Sequence, residues 1–149
     1  MVRIVPSLVT ERIESVKAGI IGAGAFAIAQ LAIALLKEAV VSSFPQYNLP
    51  LTIFSWELCL QLFFGAVSGF LFGVTYRYII RENLNFHLND GAVLAFGLVR
   101  GLALIENNLI WSELMFLIYS IAQSIVCFAI SRSILDIAIE RKLVKLLVR

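Results

Sequence analysis

Charged residues are scarce in this chain. They make up 15% of its 149 residues, while apolar residues make up 60% and the mean hydropathy is +0.93. A soluble domain carries about 25% charged residues, because it must cover a small core with a wetted surface. The shortage of charge therefore excludes an ordinary soluble domain. The length predicts a single domain over residues 1–149.

Cysteine and histidine are also nearly absent, with two cysteines and one histidine. Cys59 and Cys127 lie inside apolar runs, where we expect small buried side chains and not a disulfide framework. His87 has no Cys, Asp or Glu at metal-ligand spacing, and a metal site needs three or four ligands. The chain also lacks a Ser-His-Asp arrangement, a Walker loop and a CxxC motif. We predict no metal, no cofactor and no enzymatic activity.

Long apolar runs are what the sequence has in abundance. A helix that crosses the hydrocarbon core of a bilayer needs about 20 apolar residues, because its backbone polar groups must be satisfied internally. Four runs approach that length. They predict an all-α integral membrane protein with four antiparallel transmembrane helices, at about residues 18–40, 57–80, 90–106 and 112–132.

The distribution of Lys and Arg predicts the orientation of these helices. Basic residues gather before the first span, between the second and third, and after the fourth. The other two connections hold one basic residue, Lys37, against four acidic residues, Glu38, Glu57, Glu106 and Glu113. Because cytoplasmic loops carry the excess of Lys and Arg, both termini are predicted to be cytoplasmic. The basic residues are too dispersed to suggest nucleic-acid binding.

The last 17 residues, 133–149, alternate apolar and basic side chains at helical spacing. This pattern predicts a C-terminal amphipathic helical extension that lies on an anionic inner leaflet. A simple continuation of the fourth span is the alternative. Arg132, at the start of this region, is expected to reach the inner headgroups.

Glycines recur in the second span. The i+4 row there consists of Glu57, Gln61, Gly65, Gly69, Gly73 and Arg77. Three glycines four residues apart allow another helix backbone to approach closely. Gly65, Gly69 and Gly73 are therefore predicted to form a helix-packing surface, either inside the monomer or in an oligomer.

The fourth span carries a stripe of small polar residues. Its members, spaced by three and four, are Glu113, Leu117, Ser120, Ser124, Cys127 and Ser131. Such spacing places them on one side of the helix. Because hydroxyls facing lipid would lack hydrogen-bond partners, Ser120, Ser124 and Cys127 are predicted to face protein, with a polar pathway as the alternative.

Arg100 is the most notable polar residue, because it is always ionised and lies within the third span. Such a charge costs roughly 2.5 to 3.5 kcal/mol at the centre of a membrane helix, so it needs a partner. The candidate partners are Glu57, Glu106, Glu113 and Gln123. The predicted set of intramembrane polar groups consists of Gln61, Arg100, Glu57, Glu113 and Gln123.

Two segments, residues 72–78 (FGVTYRY) and 91–103 (GAVLAFGLVRGLA), resemble a little-characterised family of small multi-pass membrane proteins in cyanobacteria and plant plastids. The resemblance covers roughly a fifth of the chain. It implies a thylakoid or plasma membrane of an oxygenic phototroph, and it implies no activity.

The small size, the glycine surface and the lack of a reaction centre favour a scaffold, an assembly factor or an accessory subunit of a larger membrane complex. Its partners would be the lipid bilayer and either other membrane subunits or further copies of itself. The alternative is a small channel or transporter with a polar path near Arg100.

Overall fold

The computed structural model describes residues 8–42, 56–80, 86–103 and 111–144, and these contain four helices and no strand. The helices are α1 (Leu8–Ser42), α2 (Trp56–Ile79), α3 (Phe86–Leu102) and α4 (Trp111–Glu140). Three segments are long and apolar enough to cross a membrane: Val9–Val40, Leu58–Ile79 and Leu114–Glu140. The prediction of a helical, multi-pass membrane protein is thereby confirmed.

The third predicted span is the exception. The described part of α3 has 17 residues and is about 25 Å long, which is shorter than a hydrocarbon core of about 30 Å. The predicted span continues through residues 104–106, which lie outside the described residues. That α3 crosses the membrane therefore remains a prediction.

Glycines bring α1 and α2 into backbone contact. A Cβ atom built on Gly22 would lie 2.5 Å from the carbonyl oxygen of Gly69, and one built on Gly73 would collide with the carbonyl oxygen of Ala18. A Cβ atom on Gly65 would collide with the side chain of Gln30. The contact points advance along α1 as they retreat along α2, so these two helices run in opposite chain directions.

Two further glycines bring α3 against α4. A Cβ atom on Gly101 would lie 2.6 Å from the Cα atom of Ile121, and one on Gly97 would lie 2.6 Å from the Cγ1 atom of Ile125. In both places the absent side chain is what allows the neighbouring backbone to approach, which is the usual reason for small residues at membrane helix interfaces.

Four phenylalanines, one from each helix, fill the centre of the bundle: Phe26, Phe72, Phe96 and Phe128. Their ring centroids lie between 4.6 and 5.7 Å apart in tilted and edge-on arrangements. Such aromatic pairs stabilise a core by about 0.5 to 1.5 kcal/mol each beyond the burial of their area. We call this set the aromatic cluster.

The end of α4 corrects the predicted C-terminal extension. The helix continues through residues 133–140, but Lys142 then adopts a positive φ of 58°. The amide N–H of Leu143 donates to the carbonyl of Ala138, and that of Lys142 to the carbonyl of Ile139, both at 2.9 Å. This pair of bonds is a Schellman motif, which ends a helix. The helix therefore stops at Glu140, and residues 145–149 lie outside the described residues.

Candidate functional site

Arg100 lies in the last turn of α3 and points to α1 and α2. Its Nη1 group donates to Ser68 Oγ at 3.3 Å. Its Nη2 group donates to the backbone carbonyl of Gln61 at 3.2 Å and to Gln30 Oε1 at 3.4 Å. The guanidinium also lies 5.0 Å from the ring centroid of Phe26. Every one of these partners is uncharged.

The predicted acidic partners of Arg100 are not among these contacts. Within the described residues, no carboxylate lies within 4 Å of its guanidinium. Glu106 lies outside the described residues, as do the side chains of Glu57 and Glu113. Among the described residues, neutral oxygens of α1 and α2 accept the hydrogen bonds of Arg100.

A cavity of about 140 Å³, which we call the Arg100 cavity, lies between α1 and α4 beside this guanidinium. Its polar lining residues are Gln30, Lys37, Gln61, Arg100, Tyr119, Ser120, Gln123, Ser124 and Cys127. The lining contains two cationic groups and neither Asp nor Glu. A neighbouring space of about 200 Å³ shares the three glutamines and Lys37, and extends to Glu38.

The Arg100 cavity brings together most of the predicted polar residues. Ser120, Ser124 and Cys127 are buried, at 6%, 5% and 1% exposure, and all three line it together with Gln61 and Gln123. The predicted glycines lie elsewhere: Gly65, Gly69 and Gly73 are buried against α1. None of the three glycines lines the Arg100 cavity, but Gly65 packs against Gln30, which does.

A second and larger space lies on the other side of Arg100, between α2 and α3. This α2–α3 groove has a volume of about 510 Å³. Its lining is mostly apolar: Leu60, Phe64, Leu71, Phe96, Val99, Ala103 and Phe128, with Gln61, Ser68 and Arg100 as the polar members. The guanidinium of Arg100 therefore stands between an apolar groove and a polar cavity.

A polar cluster that the sequence analysis missed joins α2, α3 and α4 beyond the aromatic cluster. The Tyr76 hydroxyl donates to Asp136 Oδ1 at 2.7 Å and accepts from Arg132 Nε at 3.2 Å. Arg132 also forms ion pairs with Asp90 and Asp136. Arg132, which the sequence analysis expected to reach the lipid headgroups, therefore has two carboxylate partners within the protein. A carboxylate four residues after Arg132 was the available signal.

Arg77 was also missed as a buried group. It is only 2% exposed, and its Nη1 group donates to the carbonyl of Glu11 at 2.9 Å and to Ser15 Oγ at 2.5 Å. The sequence analysis counted Arg77 among the basic residues that set the orientation and as the last member of the i+4 row, and it predicted no buried contact for it. Its position at the end of the glycine row was the signal, because that row faces α1.

The described part of the chain holds no group of three or more His, Cys, Asp or Glu side chains that could bind a metal ion. Cys127 is buried, whereas Cys59 is exposed.

No protein-family model matches the chain, and no significant match exists to a curated protein or to a solved structure.

Proposed function

We propose that all four helices cross the membrane in alternating directions and that both termini are cytoplasmic. The alternation of basic residues along the chain supports this topology. Single cysteines at Asn48 and Asn85, in a background lacking Cys59 and Cys127, test it. A membrane-impermeant maleimide should label position 48 from outside and position 85 only after permeabilisation. The reverse labelling would contradict the topology.

We further propose that the protein is a non-enzymatic accessory or assembly subunit that binds a transmembrane helix of a larger membrane complex. The observation that carries this proposal is the α2–α3 groove. Helices in lipid associate through close packing, because lipid tails are as apolar as leucine. An open groove between two helices offers that packing to a third helix.

The contacts between the other helices strengthen this reasoning. Glycines close the α1–α2 interface and the α3–α4 interface, so a new helix would gain little by entering either of them. Between α2 and α3, by contrast, Val99 remains 70% exposed and Phe64 58% exposed. Ser68 and Arg100 add polar groups to the floor of the groove, and polar contacts help to fix the register of a bound helix.

Two matched substitutions test this docking. Val99→Trp fills the groove, whereas Ile28→Trp changes an equally exposed residue (68%) of α1 outside the groove. We expect Val99→Trp to displace the protein from its complex in native gels of mildly solubilised membranes, and Ile28→Trp to leave the complex intact.

A photo-crosslinking amino acid at the same two positions identifies the occupant. Position 99 should give one adduct of defined mass, and position 28 should give none. Equal behaviour at both positions in both assays would refute the docking. An adduct with a second copy of the chain would instead indicate self-association.

We propose a thylakoid or plasma membrane of a cyanobacterium as the location, on the strength of the resemblance of residues 72–78 and 91–103. Separation of the two membranes, followed by immunodetection, tests this assignment. A signal confined to a third membrane would contradict it.

A small channel or transporter is a second candidate, and the Arg100 cavity is the observation that favours it. The cavity presents polar groups and two cations inside the bundle. The aromatic cluster separates this cavity from the polar cluster around Arg132 and Tyr76, so transport would require the four rings to move. Anion flux into proteoliposomes, compared between the wild type and Arg100→Leu, tests this candidate. Wild-type flux no greater than that of protein-free vesicles would exclude it.

A further inference from the structure

We propose that the Arg100 cavity binds a small inorganic anion such as nitrate, bicarbonate or chloride. This site is separate from the docking of a helix in the α2–α3 groove, and its test does not depend on that docking.

The charge of the cavity is the first reason. Lys37 and Arg100 both line it, and no acidic residue does. Among the described residues, neither cation has a carboxylate within 4 Å. The Lys37 ammonium lies instead 4.5 Å from the ring centroid of Tyr119. Lys37 and Arg100 therefore give the lining of this cavity a net positive charge, which a bound anion would neutralise.

The hydrogen-bond inventory is the second reason. A guanidinium has five N–H donors, and Arg100 uses three of them, on Ser68, Gln30 and the Gln61 carbonyl. Two donors therefore remain for a ligand. Around the same space, Gln123 offers amide donors, and Ser120 and Ser124 offer hydroxyls. A cavity lined by hydrogen-bond donors and two cations has the chemistry of an anion site, and a planar oxyanion suits a guanidinium best.

The size of the cavity limits the ligand. A water molecule takes about 30 Å³ in the liquid, so 140 Å³ holds an anion of a few heavy atoms with one or two waters. It is too small for a nucleotide or a sugar phosphate.

The route of access favours a solute over a lipid. The neighbouring space leads from the shared glutamines to Glu38, near the end of α1. Gln30 lies seven residues before Lys37, so about 10 Å of helix α1 separates the two positions. A lipid phosphate, which belongs at the membrane surface, would have to descend that distance.

The experiment measures the thermal unfolding of the purified full-length protein in an uncharged detergent. Sodium nitrate or sodium chloride replaces sodium gluconate at constant ionic strength. We expect a saturable rise in Tm, on the order of 5 °C when the anion exceeds its Kd about 100-fold.

Three variants test the assignment to this cavity. Lys37→Met changes an exposed residue, so it should fold, and it should weaken binding about threefold or more through the lost attraction. Arg100→Gln should abolish the response. Lys17→Met, on the same helix but paired with Glu14, should behave as the wild type.

An absent wild-type response, or responses of equal midpoint in the wild type, Lys37→Met and Arg100→Gln, would overturn the proposal. If Arg100→Gln does not fold, the test rests on Lys37→Met and Lys17→Met. Equal salt responses of these two variants would then contradict the proposal. Retention of an anionic phospholipid through purification, with no response to either salt, would also overturn it.

Discussion

Replacing Gly22 by alanine adds one methyl group at a close backbone contact between α1 and α2, and Gly24, two residues along, provides the control. The new Cβ atom would lie 2.5 Å from the Gly69 carbonyl oxygen and 3.0 Å from the Gly73 Cα atom. Both are backbone atoms, so no side chain can rotate away and the helices must separate. A Cβ atom on Gly24, by contrast, would meet nothing within 4 Å.

The size of the effect follows from comparing the two variants. Alanine in place of glycine favours a helix interior by up to about 1 kcal/mol, and this gain is common to both positions. Overpacking costs about 1 to 3 kcal/mol and applies only at Gly22. We therefore expect Gly22→Ala to be less stable than Gly24→Ala by about 1 to 3 kcal/mol.

Unfolding of both variants by an anionic detergent in mixed micelles, followed by circular dichroism, measures this difference. The wild type should fall between the two variants or close to Gly24→Ala. Equal unfolding midpoints for Gly22→Ala and Gly24→Ala would show that α1 and α2 do not touch through their backbones.

Three other variants examine the rest of the bundle. Gly69→Leu should destabilise the protein severely, because a Cβ atom there already lies 2.7 Å from the Gly22 carbonyl oxygen; normal abundance in membranes would contradict this. Tyr76→Phe removes the hydrogen bond to Asp136 and should cost about 1 to 3 kcal/mol in the same unfolding assay. Tyr119→Phe, whose ring lies 4.5 Å from the Lys37 ammonium, is its control and should be neutral. Ser131→Ala should keep or raise the stability, because the buried Ser131 Oγ has no hydrogen-bond partner among the described residues; a clear loss would reveal a partner for that hydroxyl.

The existence of the helices could be read from the sequence, but their ends could not. Hydropathy identifies only the part of a helix that can lie in the hydrocarbon core of a bilayer. It therefore missed the first ten residues of α1, which begins at Leu8 and not at the start of the predicted first span. The end of α4 depends on a positive φ at Lys142. Glycine or asparagine usually signals such a stop, and lysine does not.

The sequence indicated several residues that line the Arg100 cavity, but it did not indicate the hydrogen-bond partners of Arg100. The spacing of Ser120, Ser124 and Cys127 on one helix is local information, and it placed them together on the face that lines the cavity. The partners of Arg100 are set by how separate helices meet. Charge pairing in the sequence pointed to three glutamates and Gln123, but it gave no sign of the acceptors that the described residues provide, which are Ser68, Gln30 and a backbone carbonyl. Gln30, the one polar residue of the apolar run 18–36, was the available signal.

The hydrogen bonds of Arg100 have a consequence for biogenesis. All three of its acceptors lie on α1 and α2, which leave the ribosome before α3 does. Because α1 and α2 are consecutive and close on each other through glycines, they can pair as a hairpin while α3 is still being synthesised. α3, which is short and carries the charge of Arg100, then meets oxygen atoms that are already in place for its guanidinium. The helices that supply the acceptors are therefore synthesised before the arginine that requires them.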